Sequence, residues 1–240
     1  MPQRRKNFRF QVDLAGADIT PLASIKAHIG EEFVRIHDIS LGGMALIFER
    51  EHNFQVGEIK DLSVSIRERA FPVRIEFKAQ QGLRFSTQFV EPNPAFINAL
   101  KEFLYPKGIG ESFKKNLELS GDPNALALLE GAKLYETFVG DQKSAAFVWM
   151  DERRNLLKFL FLVRGRALEW DRDNGLRSGV LRDSQSCDID WSSDMDDFTK
   201  QFFADVLLSW LSGDHSAYFV KSMLDNNLPI DDELSKFPIV

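Results

Sequence analysis

The chain has 240 residues, of which 44% are hydrophobic and 28% charged, and a formal net charge of -6. This composition is typical of a globular chain and excludes a largely disordered one, and the length allows two domains, each with its own core. The first 106 residues carry 14 basic and 13 acidic side chains, and the remainder carries 16 and 23. A broad nucleic-acid-binding face is therefore not expected, because it needs clustered positive charge.

Cysteine content and hydropathy indicate the cellular compartment of the protein. Cys187 is the only cysteine, which excludes an internal disulfide and a cysteine-based zinc site. The first residues are polar and basic, and no apolar run approaches the roughly 20 residues of a membrane span. We therefore expect no membrane span and a cytoplasmic location.

An arginine-rich segment lies at the start of the chain, with Arg4, Arg5 and Arg9 among its first nine residues. A guanidinium group can bind phosphate through two parallel hydrogen bonds, pair with guanine, or stack on a base. Taken alone, such a segment is usually a solvated tail. A local anion site is the alternative.

Several short segments that alternate apolar and polar residues follow at even spacing, which favours a barrel or a sandwich. A helix then begins at Asn93-Pro94, with Asn93 as the N-cap, and the breakers in residues 106–110 predict its end. The predicted strands cover residues 22–29, 33–36, 44–48, 62–66, 71–77 and 83–89, the first two as a hairpin.

A polar turn separates the second and third predicted strands, in the sequence Asp38-Ile39-Ser40-Leu41-Gly42-Gly43. Asp38 can accept hydrogen bonds from a base edge, and Ser40 can donate one to a phosphate. Gly43 lets the backbone approach a ligand closely, with a positive φ if needed. Taken alone, the same residues are a side-chain-capped turn between strands.

Together the two segments form a pattern, RxxxR at Arg5 and Arg9 followed by DxSxxG at Asp38, Ser40 and Gly43, that resembles the PilZ domain. The resemblance covers residues 1 to 105 and implies a six-stranded antiparallel β-barrel with a C-terminal helix. It also implies a bacterial receptor for the second messenger cyclic di-GMP, and an arginine before RxxxR implies an intercalated pair of ligand molecules. The implied ligand-binding residues are Arg4, Arg5, Arg9, Asp38, Ser40 and Gly43.

After a predicted linker over residues 107–121, residues 122–240 are predicted to form a second, small α+β domain with no recognised family. Asp122-Pro123 begins a helix with an apolar stripe that extends to Phe138. A β-meander and two helices follow. The predicted strands are 145–150, 156–163, 167–170 and 176–181, and the helices begin at Ser193-Asp194 and near His215.

Metal and catalytic chemistry find little support in the sequence. The acidic run from Asp183 to Asp197 could hold a hard cation, but it lacks the spacing of a calcium loop, and carboxylates also cap helices. The four histidines show no metal-ligand pairing and no adjacent nucleophile. We therefore expect no metal, no cofactor and no enzyme activity.

Three hypotheses follow. The leading one is a cyclic di-GMP receptor whose C-terminal domain relays the signal to an unidentified protein partner. The second is a PilZ-like adaptor that works by protein contacts without nucleotide, and the third is an enzyme with its site in residues 107–240. The sequence leaves open the partner, the regulated process and whether the protein is a homodimer.

Overall fold

The computed structural model describes residues 10–11, 25–141, 143–182, 188–192, 194–211, 216–225 and 236–238. The chain divides into two compact units, Met1–Tyr105 and Pro106–Val240. Each unit has one antiparallel sheet, and helices accompany both, so the α+β class is confirmed.

The first sheet is a closed barrel. Pairing of β3 with β4 closes six strands in the order β3-β2-β5-β6-β7-β4, and β1 pairs with β3 outside this ring. The predicted six-stranded barrel is thereby confirmed. The strands are β1 (Phe10–Gln11), β2 (Ile25–Ile29), β3 (Glu32–Ser40), β4 (Gly43–Ile47), β5 (Ile59–Ile66), β6 (Arg69–Gln81) and β7 (Arg84–Val90).

The barrel core consists of alternate apolar residues from its six strands, closed by helix α1 (Pro94–Ser112). Asn93 Oδ1 accepts a hydrogen bond from the Ala95 N–H at 2.8 Å, which confirms the predicted N-cap. Because apolar side chains recur along one face of the helix, its first three turns add buried residues to the same core. These are Phe96, Ala99, Leu100, Phe103 and Leu104.

The prediction that α1 ends at Pro106 is wrong, because the helix continues to Ser112. A proline inside a helix removes one backbone hydrogen bond, but tertiary contacts hold the last turns. Lys107 forms a buried ion pair with Asp205 at 3.1 Å, and Ile109 is buried. The predicted linker is therefore partly helix, and residues 114–115 form a strand of the second sheet.

The second sheet has seven strands, each antiparallel to its neighbours in sequence. Four of them match the predicted meander, while β8, β9 and β14 were not predicted. The strands are β8 (Lys114–Lys115), β9 (Leu134–Gly140), β10 (Ser144–Met150), β11 (Leu156–Val163), β12 (Arg166–Asp171), β13 (Gly175–Leu181) and β14 (Ile189–Ser192).

The helix predicted from Asp122 to Phe138 is wrong beyond its first turn. Asp122 does cap a helix, α2 (Pro123–Leu126), but Gly131 then adopts a φ of +82°. Tyr135 and Phe138 lie in β9, which pairs with β10 along its whole length. Aromatic and β-branched residues favour strands, and this preference together with the pairing outweighs the helical spacing of the apolar residues.

Two further helices lie in the described part of the second unit, α3 (Asp197–Trp210) and α4 (Ser216–Leu224). Asp196 caps α3, so that helix begins three residues later than predicted. The indole ring of Trp210 contacts the rings of Phe138, Phe159 and Phe161, at centroid distances of 4.8, 6.2 and 6.1 Å. Through these contacts α3 packs against one face of the sheet.

Candidate functional site

The predicted polar turn is a tight β-hairpin. Ser40 ends β3 and pairs with Gly43 at the start of β4, so that Leu41 and Gly42 alone form the turn. The Ser40 hydroxyl donates to the Gly43 carbonyl oxygen at 3.2 Å and accepts from the Gly42 N–H at 3.4 Å. Ser40 therefore caps its own turn, with only 4% of its surface exposed.

A β-bulge immediately precedes this hairpin. Ile36 pairs with Leu46 and Asp38 with Ala45, so His37 is an extra residue in β3. Ile36 and Ile39 both belong to the barrel core although they are three residues apart. Because a bulge shifts the alternation of a strand by one residue, Asp38 and Ser40 lie on the outer face of the barrel.

Gly43 is required by the close approach of β7. A Cβ atom at this position would lie 2.1 Å from the carbonyl oxygen of Thr87. The turn is also bound to β7 by a hydrogen bond from the Phe89 N–H to the Gly42 carbonyl oxygen at 3.1 Å. Gly43 does not have a positive φ, so its function in this structure is close backbone packing.

Asp38 is nearly buried and forms an ion pair that was not predicted. Arg84 of β7 donates from Nη2 to Asp38 Oδ2 at 2.9 Å. The side chain of Asp38 is 8% exposed and that of Arg84 is 39% exposed. The alternation of β7 places Arg84 outside the barrel, but its proximity to Asp38 depends on the strand order, which the sequence did not indicate.

Arg84 has a second arginine as a lateral neighbour. Ile47 of β4 pairs with Arg35 on one side and with Arg84 on the other. The residues next to them, Ile36 and Phe85, face the core, so both arginines lie on the outer face with Asp38. Among the described residues, this face thus includes the guanidinium groups of Arg35 and Arg84 and the carboxylate of Asp38.

The N-terminal segment enters beside this face. β1 pairs with β3 so that Phe10 lies opposite Ile39 and Gln11 opposite Asp38. Arg9 immediately precedes Phe10 in the sequence. The predicted ligand-binding residues Arg4, Arg5 and Arg9 themselves lie outside the described residues. The structure thus brings together Asp38, Ser40 and Gly43, with strand β1, which follows the arginine-rich segment in sequence, paired alongside them.

The described part of the acidic run has structural roles. Asp190 pairs with Arg182 at 2.6 Å, and this hydrogen bond lowers the pKa of the aspartate. The Thr199 N–H donates to Asp196 at 2.6 Å, which likewise lowers the pKa of that carboxyl group. No group of three or more His, Cys, Asp or Glu within the described ranges could hold a metal ion.

Comparison with known proteins finds a family match for the first unit. Residues 3–105 match the model of the PilZ domain, a family of cyclic di-GMP receptors that are not typically enzymes. This match confirms the resemblance predicted from the two motifs. It covers the barrel and the first part of α1, and the second unit lies outside it.

Other comparisons add little. A crystal structure of an uncharacterized Legionella protein shares 17% identity at a TM-score of 0.30, covering 42% of this chain and 90% of that chain. None of the curated proteins searched matches the chain. Among the described helices, none is both long enough and apolar enough to cross a membrane.

Proposed function

We propose that this protein is a bacterial cyclic di-GMP receptor that relays the signal through its second unit to a protein partner. The ligand site is formed by the arginine-rich segment and the β3–β4 hairpin. The observation that supports this proposal best is the register of β1 on β3, because it brings the chain next to Arg9 alongside Ile39 and Asp38. The proposal therefore has the two motifs, which are distant in sequence, contribute to one site on the barrel.

The chemistry of the site suits a guanine nucleotide with two phosphate groups. Arg4, Arg5 and Arg9 supply guanidinium groups for phosphate oxygens or for the guanine edge and face. The Asp38 carboxylate accepts N–H groups, and its low exposure strengthens such bonds, since a low local dielectric strengthens electrostatic interactions. Ser40 and Gly43 hold the turn against which the ligand binds.

Titration calorimetry with cyclic di-GMP tests the site. Charge-assisted hydrogen bonds contribute about 1.5–3 kcal/mol each, so we expect Arg9→Ala and Asp38→Ala to weaken binding by about ten-fold to over a hundred-fold. Arg69→Ala is the matched control, because Arg69 pairs with Glu102 elsewhere on the barrel surface. Unchanged affinity in both site variants would contradict the proposed site.

Arg4 sets the expected stoichiometry. Two stacked ligands bring four phosphate charges into one site, and a further guanidinium group offsets part of the repulsion while stacking on an outer guanine. We expect about two ligands per wild-type chain and about one for Arg4→Leu in the same calorimetric titration. A ratio of one for both proteins would show that Arg4 does not determine the number of ligands.

One observation favours the alternative of a nucleotide-independent adaptor. Ser40 is bonded within its own turn and Asp38 is bonded to Arg84, so both side chains have partners within the protein. The adaptor hypothesis expects no heat of cyclic di-GMP binding from the wild-type protein at any accessible concentration. Saturable binding that depends on Asp38 would exclude it.

A further inference from the structure

We infer that Arg84 is a further ligand-binding residue of this site, held in place by Asp38 and directed at a phosphate group of the ligand. The inference rests on the proposed function and adds a residue that lies outside both sequence motifs. It assigns two roles to Asp38, that of a ligand contact and that of a positioning residue for Arg84.

The barrel topology places Arg84 beside the hairpin. Arg84 lies on β7 and Asp38 on β3, and β4 runs between them. The ion pair therefore crosses the outer face of β4 next to Ala45, which pairs with Asp38. A small residue at this position suits the crossing, since a long side chain on the outer face of β4 would occupy the space between the two charged groups.

The guanidinium group retains donors for a ligand. It carries five N–H donors in a planar fork, and its one described side-chain bond goes from Nη2 to Asp38 Oδ2. With 39% of its side chain exposed, Arg84 can reach an anion in solution while the fork stays paired. Asp38 is far less exposed, so its carboxylate fixes the position of the Arg84 guanidinium group through Nη2. The N–H groups on the solvent side of that guanidinium group can then donate to a phosphate.

Charge balance supports a phosphate contact over a purely structural pair. Arg35 lies on the same outer face as the Arg84–Asp38 pair and adds a positive charge there. A ligand with two phosphate groups brings two negative charges to this face. Arginine also suits phosphate better than lysine does, because its fork can donate two parallel hydrogen bonds.

The test compares Arg84→Met, Arg84→Lys and wild type by calorimetry with cyclic di-GMP at low and high salt, with Arg69→Met as the control for losing a surface arginine. We expect Arg84→Met to bind about ten- to a hundred-fold more weakly and with a smaller salt dependence. Arg84→Lys should fall between the two, because it keeps the charge and loses the fork. Arg69→Met should match wild type.

Several outcomes would overturn the inference. A purely structural pair would lower the melting temperature of Arg84→Met but leave the affinity of the folded protein and its salt dependence unchanged. Tighter binding by Arg84→Met would show that Arg84 competes with the ligand for Asp38. Either result would refute ligand binding by Arg84 while the proposed function stands.

The two proposals fail separately. If the wild-type protein does not bind cyclic di-GMP, the proposed function is wrong, and inorganic pyrophosphate becomes the probe for Arg84. Its titration would be followed by NMR of the arginine side-chain N–H groups. A shifted signal that is absent from Arg84→Met supports an anion site at Arg84, and the lack of any such shift refutes it.

Discussion

Gly43 in the first unit and Gly110 in the second have the same packing role in different surroundings. A Cβ atom on Gly43 would lie 2.1 Å from the Thr87 carbonyl oxygen, and one on Gly110 would lie 2.2 Å from that of Val206. The first is a contact between strands of a barrel, and the second is a contact of α1 with α3. Both glycines let two backbones approach where no side chain fits.

The two glycines differ in the hydrogen bonds and ion pairs that stabilise the backbone around them. The hairpin at Gly43 is held by local bonds of Ser40 with Gly42 and Gly43 and by one bond from the Phe89 N–H of β7. The last turns of α1 at Gly110 depend on the distant partner Asp205, which pairs with Lys107. The comparison teaches that glycine can mark close packing in a turn or in a helix, and that the last turns of this helix rely on a long-range ion pair in addition to their own hydrogen bonds.

The largest expected effect is loss of the buried pair. Asp205→Ala leaves the Lys107 ammonium group, 5% exposed, without its carboxylate. Breaking a buried pair on one side costs about 3–5 kcal/mol, so urea unfolding should show a loss of that size. Asp190→Ala is the matched control, because its pair with Arg182 is exposed and is screened by solvent.

A double variant sharpens this test. Replacing both partners, as Lys107→Met with Asp205→Val, removes both charges and stays closer to the original volume. Such replacements are often neutral or stabilising, so most of the stability lost in Asp205→Ala should return. If Asp205→Ala costs no more than Asp190→Ala, the pair does not hold the end of α1.

The two glycines themselves provide the next test. Gly43→Ala and Gly110→Ala each force a methyl group against a backbone carbonyl oxygen, so we expect each to cost about 1–3 kcal/mol in urea unfolding. Only Gly43→Ala should also weaken cyclic di-GMP binding. Gly110→Ala serves as its control, and equal losses of affinity in the two variants would contradict a local effect at the hairpin.

The smallest effects concern the helix caps of the two units. Asn93 caps α1 and does not titrate, so Asn93→Ala should cost about 0.5–2 kcal/mol at any pH. The bond from the Thr199 N–H lowers the pKa of Asp196, the cap of α3, below its ordinary value of 3.8. A carboxylate of this kind stabilises the fold above the ordinary pKa and loses that effect as the pH falls through the folded value.

Urea unfolding at several pH values separates these caps. We expect the deficit of Asp196→Ala to be greatest at neutral pH and to shrink in acid, while the deficit of Asn93→Ala stays constant. A deficit of Asp196→Ala that does not change with pH would show that the charge of Asp196 does not contribute. The result would then favour its geometry as a hydrogen-bond acceptor.

The barrel could be predicted from the sequence because its strands alternate apolar and polar residues, and Asn93-Pro94 marks the helix after it. The helical structure of residues 106–112 could not be predicted. Proline and glycine in this segment disfavour a helix locally, and the contacts that outweigh them come from α3. The helix prediction at Tyr135 and Phe138 was wrong for a related reason. Their three-residue spacing fits a helix, while the pairing of β9 with β10 is visible only in the fold.

The candidate site was predicted in part. Asp38, Ser40 and Gly43 were found from their spacing, and the structure places them in one hairpin. Arg84 was missed because it comes from a strand 46 residues away in sequence, and only the strand order reveals the pair with Asp38. The close packing of Gly43 against the β7 backbone was also not predicted.

The bulge in β3 determines how the site tolerates changes in chain length. His37 is the extra residue, so deleting it would straighten the strand while Asp38 stays outside and Ile39 stays inside. Deleting Ile39 instead would shorten the path to the turn by one residue and exchange the two faces, bringing Asp38 into the apolar interior. The polar face thus depends on the number of residues between the bulge and the turn, whereas the total length of the strand can vary.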